Sequence, residues 1–403
     1  MSMKKVLAMV LAGGRGERLY PLTRDRAKPA VPFGAIYRII DFTLSNCLHS
    51  GVRRVYALTQ YKSTSLHRHI QLGWNILSAP LGEFIEAVPA QQRIDEHWYQ
   101  GTADAIFQNI NILQVERPDL VLILSGDHIY KMDYRKMIAF HLEKGADLTV
   151  SAIRMDRKLS RDFGVIEVDE DWRIIGFQEK PEDPKTIPGD PGEILASMGI
   201  YVFNTEVLVR RLIEDARSDS NHDFGRDIIP MMIGKAQVFA FDFRQGDCGG
   251  TGYWRDVGAI DAYYEANMDL ISITPQLNLY DSQWPILTYQ FHSPPAKTVW
   301  MEEGRVGSAL NSIISNGCII SGGNVRRSIL SPKVTVHSFA EAEDSILLEG
   351  VDVGRNAKIR RTIIDKEVQI PEGMEIGYNL DEDAKRFTVI ASGIVVVPKG
   401  IRL

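Results

Sequence analysis

The first two thirds of the chain alternate short apolar runs with stretches whose apolar residues recur at helical spacing. The apolar runs predict buried strands at residues 6–11, 55–59, 120–124 and 148–153. The helical spacing predicts helices at residues 64–72, 102–113 and 134–144. Strands and helices in alternation are typical of a parallel sheet with helices on both faces, which binds ligands at the carboxyl ends of its strands. We therefore predict an α/β domain over residues 1–270.

The pattern changes twice after that domain. Prolines at positions 275, 285, 294 and 295 predict a surface linker over residues 271–300. Beyond the linker, aliphatic residues recur every six positions, as at Ile313, Ile319 and Val325, with small and polar residues between them. This period is typical of a parallel β-helix, in which one aliphatic residue from each flat side enters the core. We predict a β-helix over residues 301–403, with an ordinary β-rich domain as the alternative.

Composition narrows the choice of partners. Of 403 residues, 46 are Lys or Arg and 52 are Asp or Glu, which gives a net charge of −6. Nucleic acid is not expected to bind so acidic a chain, whereas a small anionic substrate can still meet a local cluster of basic side chains. The three cysteines are scattered, which argues against disulfides and fits a cytoplasmic protein. The apolar run at residues 6–12 is too short for a signal peptide or a membrane span, so no membrane association is expected.

A glycine-rich loop follows the first predicted strand. Three glycines and three cations stand close together in it and just after it: Gly13, Gly14, Gly16, Arg15, Arg18 and Lys28. Glycines let a phosphate group approach backbone N–H groups, and the cations neutralise a polyphosphate. The loop lacks the Lys-Ser/Thr ending of a Walker loop, and it has Leu19 where the dinucleotide motif has its last glycine. It predicts a phosphate site, with a tight turn that carries surface arginines as the alternative.

Two carboxylates are candidates for a metal site. An apolar strand ends at Gly126 and Asp127, and Asp256 lies in a short loop flanked by aromatic residues. Mg²⁺ bound to nucleotide phosphates takes one or two protein carboxylates, which fits this pair. Asp127 alone is equally consistent with a turn or a helix cap. His128 is expected to be structural rather than a ligand.

Two further motifs indicate substrate contacts. Glu179 is suited to accept hydrogen bonds from sugar hydroxyls and Lys180 to neutralise a phosphate, with a solvated surface ion pair as the alternative. Tyr99 lies just before Gly101 and is a candidate to stack on a nucleobase, with simple packing as the alternative.

Together these residues resemble the sugar-nucleotide pyrophosphorylases, a family of sugar nucleotidyltransferases. The likeness covers nearly the whole chain, and its later motifs narrow it to the branch that transfers an adenylyl group. The motifs that carry it are residues 11–23, 26–32, 38–42, 98–105, 126–130, 163–165, 179–181, 195–201, 223–225 and 253–258.

The resemblance implies a Rossmann-like nucleotidyltransferase domain followed by a left-handed parallel β-helix. It implies Mg²⁺-dependent adenylyl transfer from ATP to α-D-glucose 1-phosphate, giving ADP-glucose and pyrophosphate for glycogen biosynthesis. The sugar phosphate is already an anion, so the reaction needs no general base and no catalytic histidine or serine is expected. Cations and Mg²⁺ must instead stabilise the charge that develops on the leaving pyrophosphate.

Residue roles follow from the positions that match the family's motifs. The expected catalytic residues are Arg15, Arg18, Lys28, Asp127 and Asp256, the last two as ligands of Mg²⁺. The expected substrate-binding residues include Gly13, Gly14, Gly16, Gln91, Tyr99, Gly101, Thr102 and Gly126. The positions that resemble the glucose 1-phosphate site are Gly164, Glu179, Lys180 and Ser197.

A homotetramer and control by metabolite effectors, such as sugar phosphates, are also implied by the resemblance. Arg38 and Arg386 match basic positions of the regulatory region. Many relatives carry a basic residue where this chain has Asp25, and a carboxylate there should weaken binding of a doubly phosphorylated activator. Arg24 and Arg26, which flank it, are candidates to compensate.

Three other functions share parts of this pattern. An enzyme that makes UDP-, dTDP- or GDP-sugars would share the glycine loop, Asp127 and Lys180. A regulatory subunit that binds sugar nucleotide without turnover commonly loses the metal carboxylate or the catalytic arginine, which this chain retains. An acyltransferase would act through the β-helix, where His337 is the candidate acceptor and is expected to be a surface residue.

Overall fold

A nine-stranded mixed sheet forms the centre of the first domain. The computed structural model describes residues 3–91, 97–187, 189–248, 250, 252–302 and 304–403. The strands of the sheet are Val6–Leu11, Arg54–Thr59, Phe84–Pro89, Leu120–Ser125, Leu148–Asp156, Gly164–Val168, Ile174–Glu179, Glu193–Asn204 and Val238–Asp242. The strands predicted from the apolar runs are confirmed, with bounds that differ by no more than three residues.

Two strands of this sheet run against the others, Glu193–Asn204 and Ile174–Glu179. Val6–Leu11 pairs in parallel with Arg54–Thr59 on one side and with Leu120–Ser125 on the other. The long strand Glu193–Asn204 then runs antiparallel to Leu120–Ser125 and to Leu148–Asp156. The four predicted strands therefore run in the same direction, and Val238–Asp242 is parallel to Leu148–Asp156. The prediction of a parallel sheet is wrong only for Glu193–Asn204 and Ile174–Glu179, which run against the other strands, because apolar runs carry no information about strand direction.

Helices cover both faces of the sheet. Along Val6–Leu11 the side chains of Val6, Ala8 and Val10 enter one apolar cluster, while Leu7 and Met9 enter the cluster on the opposite face. The helices of this domain are Ile39–His49, Thr64–Gly73, Thr102–Phe107, Ile110–Glu116, Tyr134–Glu143, Thr205–Asp215, Ile229–Met232, Phe243–Gly246 and Ile260–Asp269. The predicted helix at 102–113 is thus two helices. Among the described residues, no helix combines the length and the apolar character needed to cross a lipid bilayer.

The break between those two helices has a local cause. Asn109 lies at the junction, where its side-chain Nδ2 donates to the carbonyl of Ala105 and to the hydroxyl of Tyr99. Asn favours such local bonds to the backbone over a helix interior. The residues between Phe107 and Ile110 therefore turn the chain rather than continue the helix.

Parallel strands wind into a coil of three sheets in the second domain. Ile319, Thr335, Asp352 and Gln369 follow one another in register along one side, so a turn of the coil holds roughly three six-residue repeats. The strands of the three sheets are Lys297–Val299, Ile319–Ser321, Thr335–Val336, Asp352–Val353 and Gln369–Ile370; Ser308–Leu310, Asn324–Arg326, Glu341–Glu343, Lys358–Arg360 and Glu375–Ile376; and Ile313–Ile314, Ile329–Leu330, Ile346–Leu347, Thr362–Ile364, Val395–Val397 and Thr388–Val389. A short helix, Leu380–Ala384, precedes the last two.

The aliphatic repeat places most of its residues in the core of the coil. Val325, Val334 and Ala340 are fully buried. The predicted phase is wrong at Ile319, which is 41% exposed while its neighbour Ile320 is buried. The phase slips because the turns between sides vary in length, and a one-residue slip moves a strand residue to the other face.

The residues between the two domains, 271–296, are here called the connector. The connector packs against the helix Ile39–His49: Trp284 is buried, and its indole Nε1 donates to Asn46 Oδ1 at 2.9 Å. The first strand of the coil, Lys297–Val299, begins inside the stretch predicted as a linker. The domain bounds 1–270, 271–300 and 301–403 remain a proposal.

A buried ion pair joins the first domain to the coil. Arg26 Nη2 donates to Asp365 Oδ1 at 2.9 Å and to Oδ2 at 3.0 Å, and the two side chains are 6% and 2% exposed. We expect Asp365→Asn to lower the free energy of unfolding by about 3–5 kcal/mol, because it leaves a buried guanidinium without its counter-charge. Urea unfolding followed by circular dichroism measures this loss. Glu375→Ala, which removes the carboxylate of an exposed pair on the coil, is the control and should change little; an equal effect of both substitutions would contradict the prediction.

Candidate active site

A short antiparallel ladder brings the two predicted metal carboxylates together. It pairs His128–Tyr130 with Trp254–Asp256, and in its register Asp256 stands opposite His128. Asp127 immediately precedes this ladder, so its carboxylate lies beside that of Asp256. Side-chain ligand atoms of Asp127, His128 and Asp256 all lie within 4.8 Å of one another. We call this ladder with Asp127 the carboxylate hairpin, for its two short antiparallel strands, although these strands are far apart in the sequence.

Lys28 bridges the two carboxylates. Its Nζ donates to Asp127 Oδ2 at 2.8 Å and to Asp256 Oδ1 at 2.7 Å, and its side chain is only 7% exposed. Burial alone would lower the pKa of Lys28, but the two carboxylates raise it above its ordinary value. Burial likewise acts to raise the pKa of Asp127, and Lys28 and His128 together hold it below its usual range. The ammonium and the Asp127 carboxylate are therefore both charged near neutral pH.

The donor set of the hairpin fits a magnesium ion. Mg²⁺ prefers oxygen ligands and is bound with one or two carboxylates, so Asp127 and Asp256 are the residues that would hold it. His128 is a poorer candidate for this hard cation. Its ring packs edge-on against Trp254 with ring centroids 4.9 Å apart, and burial lowers its pKa, as expected of a structural histidine.

The glycine loop lines a cavity on one side of the hairpin. This cavity of about 440 Å³, here the loop cavity, is bounded by Leu11, Ala12, Gly14, Arg15, Gly16, Glu17, Arg18, Lys28, Pro29, Asp127 and Gly258. Gly16 has a φ of 64°, and a Cβ there would meet Thr23 Cγ2 at 3.0 Å and Lys28 Cβ at 3.1 Å. Glycine at this position therefore lets the loop curl against the turn that carries Lys28.

The two arginines of the loop differ in what they contact. Arg18 points toward the carboxylate hairpin, with its Nη2 3.6 Å from Asp256 Oδ2. Arg15 lies 4.9 Å above the ring of Tyr61 and pairs with Glu17 at the surface. Arg18 thus lies beside Asp256, whereas Arg15 contacts Tyr61 and Glu17.

A second cavity adjoins the first beside the hairpin. This strand cavity, of about 230 Å³, is lined by Gly164, Glu179, Lys180 and Ser197 among others, so the four positions predicted to hold a sugar phosphate lie together. The two cavities share Leu11 and Arg18; Asp127 lines the loop cavity and Asp256 lines the strand cavity. The carboxylate hairpin therefore lies where the two cavities adjoin, and both cavities are lined by basic as well as acidic side chains.

Glu179 and Lys180 sit differently within the strand cavity. Glu179 is half-buried, and burial first, then the nearby Asp223 carboxylate, raises its pKa above its ordinary value. Lys180 is exposed and adopts a φ of 50°, and its backbone N–H donates to the carbonyl of Phe163. Their side chains are thus available to a ligand rather than paired with each other at short range.

The loop that carries Tyr99, Gly101 and Thr102 is tied to the strand cavity. Thr102 Oγ1 donates to Asp223 Oδ2 at 2.9 Å and accepts from the N–H of Phe224 at 3.0 Å. A Cβ on Gly101 would lie 2.2 Å from the carbonyl oxygen of His222, so only glycine fits that contact. Thr102 lines the strand cavity rather than the loop cavity.

Several predicted contacts lie outside both cavities. Tyr99, Gly101 and Gln91 are not among the described residues that line them, and the hydroxyl of Tyr99 accepts from Asn109 Nδ2. Gly13 packs against the side chain of Gln60, and the N–H of Gly126 donates to the carbonyl of Leu11. These two glycines let strands approach each other behind the site.

Three site residues were not assigned a role from the sequence. Ser125 Oγ donates to Asp127 Oδ1, Asp223 supports Thr102, and Gly258 lies where a Cβ would be 2.9 Å from both Arg18 Nη2 and Asp256 Oδ1. Asp223 and Gly258 stand in motifs that carried the family resemblance, so that signal was present. Ser125 lies at the end of an apolar strand, where nothing in the pattern distinguishes it from a turn residue.

The basic positions expected to be regulatory are spread over the domain boundary. Arg26 is buried in its pair with Asp365, and Arg24 contacts both Asp25 and the carbonyl of Lys399. Arg38 lines a small cavity between the first domain, the connector and the coil, together with Lys366 and Glu349. On the coil, Arg386 pairs with Asp383, and His337 is 43% exposed and pairs with Asp352.

Comparisons with known proteins agree with this architecture. The sequence profile of the nucleotidyl transferase family matches residues 7–273, and that of the GlmU-like C-terminal hexapeptide family matches residues 294–397. A relative from Rhodopirellula baltica, named glucose-1-phosphate adenylyltransferase, is 57% identical over 99% of this chain and 91% of its own length. Relatives of the same name from Koribacter versatilis and Anaeromyxobacter sp. are 54% and 53% identical over 100% of this chain and 97% and 100% of their own lengths. The chain belongs to the glucose-1-phosphate adenylyltransferase family of nucleotidyl transferases.

Proposed function

We propose that the protein transfers an adenylyl group from ATP to α-D-glucose 1-phosphate, giving ADP-glucose and pyrophosphate in a Mg²⁺-dependent reaction. The observation that carries the proposal is the position of the carboxylate hairpin, which lies where a glycine-lined cavity with basic side chains adjoins a cavity with groups for a sugar phosphate. Two anionic substrates in adjoining cavities can meet beside these charged groups, as such a transfer requires. The names of the relatives favour adenine and glucose within that class.

In this proposal the triphosphate occupies the loop cavity. Backbone N–H groups of the glycine loop bind its oxygens, and Arg15 and Arg18 neutralise its charge. Mg²⁺, held by Asp127 and Asp256, would lower the charge repulsion between the reacting phosphates. Lys28, between the same carboxylates, adds a fixed positive charge beside the reacting phosphate.

The sugar phosphate occupies the strand cavity, where Lys180 pairs with its phosphate and Glu179 accepts from its hydroxyls. A phosphate oxygen of the sugar phosphate forms a bond to the α-phosphorus of ATP as the bond to the bridging oxygen of pyrophosphate breaks. The electron pair of the broken bond leaves with pyrophosphate, whose charge Arg18 neutralises. The nucleophile is already ionised, so no proton is transferred from it.

Substrate choice is tested by pyrophosphate release from glucose 1-phosphate and Mg²⁺ with ATP, UTP, dTTP or GTP. Strong preference for ATP supports the adenylyl assignment, and preference for another triphosphate would assign a different sugar nucleotide on the same chemistry. No release with any of the four would favour the non-catalytic regulatory subunit. The retained Arg18 and the intact Lys28 bridge between Asp127 and Asp256 argue against that last outcome.

Lys180→Ala is expected to raise the KM for glucose 1-phosphate by about tenfold or more while changing kcat and the KM for ATP far less, because one charge-assisted hydrogen bond to phosphate is lost. Initial rates at varied glucose 1-phosphate measure it. Lys185→Ala removes a nearby exposed lysine that is not among the residues lining the strand cavity, and it is the matched control. An unchanged KM for glucose 1-phosphate in Lys180→Ala would remove this residue from the site.

Regulation, assembly and location belong to the same proposal. Arg26 is committed to Asp365, so we propose that effectors meet Arg38 and Lys366 in the cavity between the domains. Adding fructose 1,6-bisphosphate, fructose 6-phosphate, pyruvate or AMP to the same assay tests this, with Arg38→Ala as the variant that should lose the response.

We also propose a homotetramer, which light scattering measures, and a cytoplasmic role in glycogen biosynthesis. Unpaired thiols such as Cys47 persist in the reducing cytoplasm.

A further inference from the structure

The helix Ile39–His49 is buried all round from Ile39 to Cys47, and four of these buried residues are polar. Asp41, Thr43, Ser45 and Asn46 are all 0% exposed. Buried polar groups are costly unless they form hydrogen bonds, so the partners of these four residues show what the helix holds in place. None of the four takes part in the chemistry proposed above.

Two of them hold the chain on either side of Asp127. Thr43 Oγ1 donates to the carbonyl of Ser125 at 2.9 Å, two residues before the metal carboxylate. Asn46 Nδ2 donates to the carbonyl of Tyr130 and its Oδ1 accepts from the N–H of Met132, both at 3.2 Å. The segment between these contacts carries Asp127 and forms the strand of the hairpin that pairs with Asp256.

The same helix also binds the connector. Trp284 Nε1 donates to Asn46 Oδ1 at 2.9 Å, so one side-chain oxygen receives a bond from the hairpin segment and a bond from the connector. Thr288 Oγ1 donates to Asp41 Oδ2 at 2.6 Å, and the N–H of Leu287 donates to Ser45 Oγ at 2.8 Å. The connector then runs directly into the first strand of the coil.

We propose that Thr43 and Asn46 are positioning residues that hold the carboxylate hairpin in its reactive geometry, and that Asn46 links this hairpin to the connector through Trp284. The inference rests on the proposed function for its activity readout. Lys28 contacts both carboxylates at 2.7 and 2.8 Å, so the site tolerates little displacement of Asp127. A displacement of about 1 Å of a reacting group can cost roughly 10²-fold in rate.

Thr43→Val tests the hairpin side of the proposal. It is nearly isosteric and removes only the hydroxyl that binds Ser125. We expect kcat to fall about tenfold and Mn²⁺ binding, followed by electron paramagnetic resonance, to weaken several-fold, with little change in the KM for glucose 1-phosphate. Thr43→Ser keeps the hydroxyl and should restore both values. An equal loss in both variants, or no loss in a folded Thr43→Val protein, would overturn the role of this hydroxyl.

Trp284→Phe tests the connector side, and Trp74→Phe is its matched control. Trp74 Nε1 donates to Asp41 Oδ1, so the control removes the same kind of bond from the same helix without touching Asn46. We expect Trp284→Phe to weaken Mn²⁺ binding and to lower kcat several-fold, and Trp74→Phe to lower only the unfolding midpoint. Equal effects on Mn²⁺ binding would reduce both residues to structural roles. The Mn²⁺ measurement decides these outcomes even if no triphosphate is turned over, so failure of the proposed function is distinguishable.

Discussion

Asp127→Asn is expected to lower turnover by about 10³-fold or more while the protein stays folded. The substitution keeps the shape of the side chain and removes the negative charge that faces the loop cavity and Lys28. A metal ion contributes several kcal/mol of charge stabilisation in such transfers, and each 1.4 kcal/mol is a factor of ten in rate. Asp256→Asn should lower turnover as well, because the carboxylates of Asp127 and Asp256 both contact Lys28.

The measurement is kcat at saturating ATP, glucose 1-phosphate and Mg²⁺, with circular dichroism to establish the fold. Asp119→Asn is the control, since Asp119 lies just before the opposite end of the same strand and pairs with Lys5 at the surface. Removing free Mg²⁺ with a chelator should reproduce the loss in the unmodified protein. Near-normal turnover of folded Asp127→Asn at low Mg²⁺ would rule out its assignment as a metal ligand.

The sequence predicted the carboxylate pair because each member carries a local signal. Asp127 ends a continuous apolar strand, and Asp256 lies in an aromatic-flanked motif of the family. The sequence could not predict that Lys28 joins them, since that contact depends on how the turn Lys28–Ala30 packs beneath the glycine loop. Contacts between distant segments depend on packing, and packing produces no periodic pattern in the sequence.

The difference between local signals and contacts between distant segments also explains the errors in the fold prediction. Four strands of the first domain were predicted because an unbroken apolar run indicates burial on both faces, but burial does not depend on strand direction. The antiparallel strand Glu193–Asn204 was therefore unforeseen. In the coil, the six-residue period was visible, but its phase failed at Ile319 because side-to-side turns vary in length. Thr43 and Asn46 gave no functional signal at all, since each is an ordinary polar residue inside an apolar helix.

Lys28→Met should separate metal binding from catalysis. Met nearly matches the length of Lys and suits a buried site, but it leaves Asp127 and Asp256 facing each other without the ammonium that now joins them. We expect turnover to fall by about 10²–10³-fold, because a fixed positive charge beside the reacting phosphate is lost. We expect Mn²⁺ to bind several-fold more tightly, because the carboxylates no longer have a competing internal cation.

The unfolding midpoint of Lys28→Met tests the same prediction independently of activity. Two adjacent carboxylates without a counter-charge should lower the unfolding midpoint of metal-free Lys28→Met. Added Mg²⁺ should raise the unfolding midpoint of this variant by more than it raises that of the unmodified protein, because a ligand that binds the folded state more tightly stabilises it more. Lys28→Arg is the matched control. It keeps the positive charge but replaces the compact ammonium with a planar guanidinium, so it should bind Mn²⁺ no more tightly than the unmodified protein. Weaker Mn²⁺ binding by Lys28→Met would show that this lysine assembles the metal site rather than competing for it. We expect Asp127→Asn to lower both metal affinity and rate, so opposite changes in metal affinity in the two variants would identify Lys28 as a catalytic cation and Asp127 as a ligand.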